Sequence, residues 1–96
     1  ISSPAVYSAS KAGVIGLMKF LSSYWGKSNI RVNSISPGGV ESGQNKKFIN
    51  NYSKRVPLGK MADSNDITGI SVFLASDASN YFSGHNFVMD GGLSVW

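Results

Sequence analysis

The sequence predicts an α/β chain with a parallel sheet. Two stretches carry apolar residues at helical spacing, one near the start and one beginning at Asp63. Each is followed by a short run that reads as a strand, first Ile30 to Ser36 and then Asn86 to Met89. Helix, strand, helix, strand is the tail of an α/β pattern, in which a right-handed crossover joins parallel neighbours.

The first helix is expected from about Pro4 to Gly26. Proline suits a first helical turn, where its missing N–H costs nothing, and Ser2 and Ser3 stand before it as caps. Val14, Leu17, Met18, Leu21, Tyr24 and Trp25 follow helical spacing, while Ala5, Ala9, Ala12, Gly13 and Gly16 leave a nearly bare surface. Gly26 and Asn29 are stop signals. The strand Ile30 to Ser36 alternates apolar and polar residues, is rich in β-branched side chains, and ends at Pro37-Gly38-Gly39.

Gln44 to about Ser53 reads as a short surface helix, with Phe48, Ile49 and Tyr52 on one side. The next helix starts at Asp63, whose carboxylate can cap the first turn, and Asp66 adds favourable negative charge there. Ile67, Ile70, Phe73 and Leu74 make its apolar stripe. Asp90-Gly91-Gly92 closes the second strand. Two parallel strands alone leave raw edges and one layer of cover, so the chain reads as part of a larger sheet.

Composition narrows the function classes. The 96 residues are 42% hydrophobic and 15% charged, too apolar and too weakly charged for disorder. No apolar run approaches a membrane span, and no leader is visible at the start. With no cysteine and one histidine, His85, thiolate metal sites and cysteine or histidine-centred catalysis are not expected, and no metal site is assigned. His85 itself reads as a turn residue. The net charge of +4 is scattered and does not alternate with aromatics, so neither nucleic acid nor membrane is expected as a partner. A cytoplasmic location is expected.

Tyr7 and Lys11 are four apart on the first helix and leave the same face. A phenol is a poor acid or base at neutral pH, but an ammonium one turn away favours the phenolate. A tyrosine so tuned can give a proton to a carbonyl oxygen or take one from an alcohol. By itself the pair is weak evidence, since chance produces it in roughly one chain in six of this length. Asn33 to Ser42 places a Pro-Gly-Gly turn at the carboxyl end of a strand, where ligands bind in open α/β sheets. Glycines there admit close approach of backbone to a ligand, and Ser42 offers a hydroxyl. An ordinary strand-ending turn has the same composition.

Taken together, Tyr7-Ser8-Ala9-Ser10-Lys11, Asn29 to Asn33 with Pro37-Gly38, Arg55 to Lys60, Phe73 to Asp77 and Asp90-Gly91-Gly92 resemble the short-chain dehydrogenases/reductases in order and spacing. The resemblance covers essentially the whole chain. It implies a doubly wound NAD(P)-binding Rossmann fold, of which residues 1–96 would be a partial domain. This carboxyl-terminal fragment would carry the Tyr-x-x-x-Lys helix, the Pro-Gly cofactor loop, the lid and the last strand. It further implies hydride transfer between NAD or NADP and a small carbonyl or alcohol substrate. Tyr7 would be the general acid/base and Lys11 would lower its pKa and hold the nicotinamide ribose. Pro37, Gly38 and Val40 would line the nicotinamide, with Ser42 in place of the family's usual threonine. Lys46, Lys47, Lys54 and Arg55 bracket the segment that is the family's mobile substrate lid and read as solvated charge ahead of a site for an anion. Phe48, Ile49 and Tyr52 would either line a substrate pocket or seat that lid. Family members assemble through the first helix and final strand, so a homo-oligomer, dimer or tetramer, is expected; Trp96 would either pack across a subunit boundary or fray. The glycine-rich phosphate turn, the catalytic serine and the residue choosing NAD over NADP do not occur in these 96 residues. The isolated piece is therefore expected to be inactive; the alternative is a non-catalytic interaction or oligomerisation piece.

Overall fold

Three helices and two strands follow one another as α1 (Ser3–Trp25), β1 (Ser34–Pro37), α2 (Lys46–Lys54), α3 (Ser64–Ala75) and β2 (Asn86–Met89). This is a computed structural model, and it describes residues 3–95. The roles expected for Ser2 and Trp96 lie outside the described residues. β1 and β2 pair as a two-stranded sheet. Ser34 N donates to the His85 carbonyl and Gly38 N to the Met89 carbonyl, so the pairing advances in one direction on both strands. They are parallel, as the α/β pattern predicts.

The chain divides into two compact units, Ile1–Ser34 with Asn80–Asn86, and Ile35–Ser79 with Phe87–Trp96. In the first, α1 begins at Ser3, so Ser3 belongs to the helix and does not precede it. A short 3-10 turn, Gly26–Ser28, extends α1, and Asn29 then stops it in the left-handed conformation at φ 60°. Asparagine tolerates that conformation better than most residues with a side chain. Met18 is buried, with Ile15, Leu21 and Ser22 half-buried. The covered face of α1 is therefore narrower than the expected stripe. Val14, Leu17 and Tyr24, read from spacing as part of it, are exposed.

The strand expected from Ile30 is shorter. Residues 30–33 face a segment, 82–85, that turns at Gly84 with φ +81° and cannot run as a strand. One backbone bond remains there, from Gly84 N to the Val32 carbonyl at 2.8 Å, and side chains supply the others: Val32 N donates to Ser83 Oγ at 3.1 Å, and His85 N to Asn33 Oδ1 at 3.2 Å.

In the second unit, Asn45 caps α2 by accepting from Phe48 N at 2.9 Å. Asp63 caps α3 as expected, and the cap is reciprocal: Asp63 Oδ1 accepts from Asn65 N and Asp66 N, while Asp66 Oδ2 accepts from Asp63 N. The α3 stripe is only partly covered; Ile67, Ile70 and Leu74 are half-buried and Phe73 is exposed. Ser79 is fully buried and donates to the Leu74 and Ser76 carbonyls, closing the end of that helix. Val56 and Met61 are the buried hydrophobics of this unit. Among the described residues no helix is long and apolar enough to cross a membrane.

Candidate active site

Tyr7 and Lys11 belong to the first unit. No β-branched side chain or glycine lies between Tyr7 and Lys11, and α1 runs through both unbroken. Helical geometry then brings them together: Lys11 Nζ lies 5.7 Å from the centroid of the Tyr7 ring. That is within reach of the attraction between an ammonium and an aromatic face. Tyr7 is 64% exposed and Lys11 is exposed as well, so no apolar packing explains the pair.

Pro37, Gly38, Val40 and Ser42 belong to the second unit. Pro37 is the last residue of β1, and Gly38 N continues the ladder onto the Met89 carbonyl at 2.9 Å. Neither Gly38 nor Gly39 has a positive φ. Their need for glycine is close approach. A Cβ on Gly38 would stand 2.8 Å from Asp90 Cβ, and one on Gly39 would stand 2.5 Å from Tyr52 Cζ. The close neighbours at those Cβ positions are the protein's own Asp90 and Tyr52.

Val40 forms a parallel bridge with Ala62. Gln44 ties the following loop together: its Nε2 donates to the Val40 carbonyl at 3.0 Å and its Oε1 accepts from Ser42 N at 2.7 Å. Ser42 stays exposed. Beside this loop lies a cavity of about 340 Å³ whose lining includes Gly39, Tyr52, Val56, Met61, Ile70 and Met89. The sequence offers Tyr52 as lining a substrate pocket or seating the lid, without its bond to Gly39, and Gln44 only as the start of a surface helix. Gln44 follows Ser42 by two positions, a spacing at which a side-chain amide can close a turn, and that was its only signal.

Comparison with known proteins gives the family of the chain. A family model described as enoyl-(acyl carrier protein) reductase matches residues 1–94. D-arabinitol 2-dehydrogenase (ribulose-forming) of Candida tropicalis is 39% identical over 99 residues, covering 95% of this chain and 35% of the relative. The 3-oxoacyl-(acyl-carrier-protein) reductase FabG of Chlamydia trachomatis is 41% identical over 92 residues, covering 92% of this chain and 37% of the reductase. Among solved structures, a short-chain dehydrogenase from Leptospira borgpetersenii with bound NAD+ superposes with a TM-score of 0.85 at 44% identity. That match covers 93% of this chain and 35% of the other. A 4-hydroxyisoleucine dehydrogenase complexed with NADH gives 0.87 at 37% identity, over 96% of this chain and 40% of the other.

The fold is thus the α/β arrangement of Rossmann-type oxidoreductases. The chain belongs to the short-chain dehydrogenase/reductase family, whose members are NAD(P)-dependent oxidoreductases. It spans about 35% to 37% of the length of these curated relatives.

Proposed function

We propose that the protein carrying this chain transfers hydride between NAD(P) and a carbonyl or alcohol substrate, with Tyr7 as general acid/base. The observation that carries the reading is the exposed Tyr7–Lys11 pair, with the ammonium 5.7 Å from the ring centroid. The second unit suits a nicotinamide cofactor in one respect. The Val40 carbonyl gives one lone pair to Gln44, and a carbonyl has a second that a carboxamide N–H can use. The exposed Ser42 hydroxyl offers a further donor and acceptor.

When bound, NAD(P)H supplies the hydride and NAD(P)+ receives it. In reduction, Tyr7 Oη gives its proton to the substrate oxygen as the carbonyl carbon becomes an alcohol carbon. In oxidation it takes that proton back. Lys11 stabilises the negative charge left on the phenol oxygen, and its three N–H donors hold ribose hydroxyls. Pro37, Gly38, Val40 and Ser42 bind and orient the nicotinamide.

The same reading makes residues 1–96 part of one Rossmann-type domain and the protein a homo-oligomer. Supporting this, the described residues bury three hydrophobics, Met18, Val56 and Met61, while large apolar side chains stand exposed on α1, α2 and α3. So small a core does not offset the conformational entropy of folding without further cover. The 96 residues alone are therefore inactive.

Tyr7→Phe in the full-length protein tests the catalytic assignment. Turnover should fall by about 10²- to 10⁴-fold, with NAD(H) binding, followed by nicotinamide fluorescence, retained. Unchanged turnover would remove Tyr7 from its role.

A further inference from the structure

Tyr52 joins α2 to the Pro37–Gly39 turn within the second unit. Its Oη accepts from Gly39 N at 2.7 Å, at the short end of the range for such bonds. Arg55 Cζ lies 5.3 Å from the Tyr52 ring centroid, and the Phe48 ring is 6.1 Å away, so its own helix holds the ring in place. The glycine is fitted to it: a Cβ on Gly39 would come within 2.8 Å of the same hydroxyl. On the other side, the Gly39 carbonyl accepts from Ala62 N at 3.0 Å, and Glu41 N donates to the Ala62 carbonyl at 2.8 Å. One residue, Gly39, is thus held through its N–H by α2 and through its C=O by the segment leading into α3.

We infer that Tyr52 is a positioning residue, fixing the turn that carries Val40 so that α2 cannot swing away without releasing it. The claim rests on the reading that Val40 meets the nicotinamide. On this inference the hydroxyl acts through the Gly39 amide that it binds. Its effect falls on cofactor binding in the ground and transition states alike, which moves KM and leaves kcat.

The test uses the full-length protein and Tyr52→Phe, which keeps the ring and its contacts with Arg55 and Phe48. The KM for NAD(H) should rise by about two- to tenfold, the loss of one neutral hydrogen bond, with kcat within about twofold of the original. A purely structural role would lower the active fraction, and so kcat, with KM untouched. An unchanged KM, or a fall in kcat alone, overturns the proposal. Amide exchange on the unmodified protein gives a second reading should the variant fail to fold. Gly39 should exchange with the protection of the α2 amides, because opening α2 is what frees it; exchange much faster than α2 overturns the proposal. An unmodified protein that neither binds NAD(H) nor turns over would instead refute the functional reading. The turnover of that protein therefore separates the two failures.

Discussion

The hydroxyls of Ser22 and Ser83 meet at 2.8 Å, joining the last turn of α1 to a loop 61 positions further along the chain. Ser83 Oγ also accepts from Val32 N at 3.1 Å, so one hydroxyl serves a helix and a strand approach together. Ser83→Ala leaves the half-buried Val32 N–H unpaired and removes both bonds, and should destabilise the full-length protein by about 1–3 kcal/mol in denaturant titration. Ser22→Ala loses only the hydroxyl pair and should cost less. Equal losses from the two variants would show that the bond to Val32 adds nothing.

The reciprocal cap at Asp63 and Asp66 carries a similar prediction. Asp63→Ala strips acceptors from the Asn65 and Asp66 amides at the start of α3. The expected loss is about 0.5–2 kcal/mol, read by thermal or chemical unfolding. Asp63→Asn keeps an acceptor oxygen and should recover most of it. If Asn and Ala behave alike, the cap does not hold the helix start.

That cap was legible because its chemistry is local: Asp63 stands before an apolar stripe and Asp66 three positions on. The Tyr7–Lys11 pair was legible for the same reason, since one helix fixes both residues. The shortened first strand was not. Ile30 to Ser36 alternates like a strand, but its pairing depends on the partner segment, where Gly84 turns the chain. The covered face of α1 was misjudged because spacing cannot distinguish an apolar face that packs from one left bare. Both carry leucine and valine, and only Met18 and its neighbours mark the first. Tyr52 was invisible as a partner of Gly39 because thirteen positions separate them and nothing local links them.

Asp90 carries a prediction about acid. The Ser94 hydroxyl and the Gly92 and Ser94 amides bond its carboxylate, holding its pKa below the ordinary 3.8. A carboxyl whose pKa is lowered by folding stabilises fully above its unfolded pKa and loses that contribution as pH falls through the folded one. Melting temperature should therefore drop as the pH falls below 3.8 toward the lowered value. Asp90→Asn should melt lower at neutral pH and show a shallower acid decline. Parallel pH profiles for the two proteins would mean that Asp90 has no part in the acid response.

The bare face of α1 gives the sharpest test of assembly. Leu17 and Phe20 are 57% and 60% exposed, Phe20 stacks on Tyr24 at 5.7 Å between centroids, and a Cβ on Gly16 would have nothing within 4 Å. If a second copy packs there, helix against helix, the open space at Gly16 is filled by the partner. Gly16→Leu should then dissociate the oligomer while the subunits stay folded, as sedimentation and circular dichroism would report. Leu17→Lys should do the same by placing a charge in the contact. If Gly16 instead faces water, Leu replaces a poor helix former with a good one and should stabilise the protein by about 0.5–1 kcal/mol with assembly unchanged.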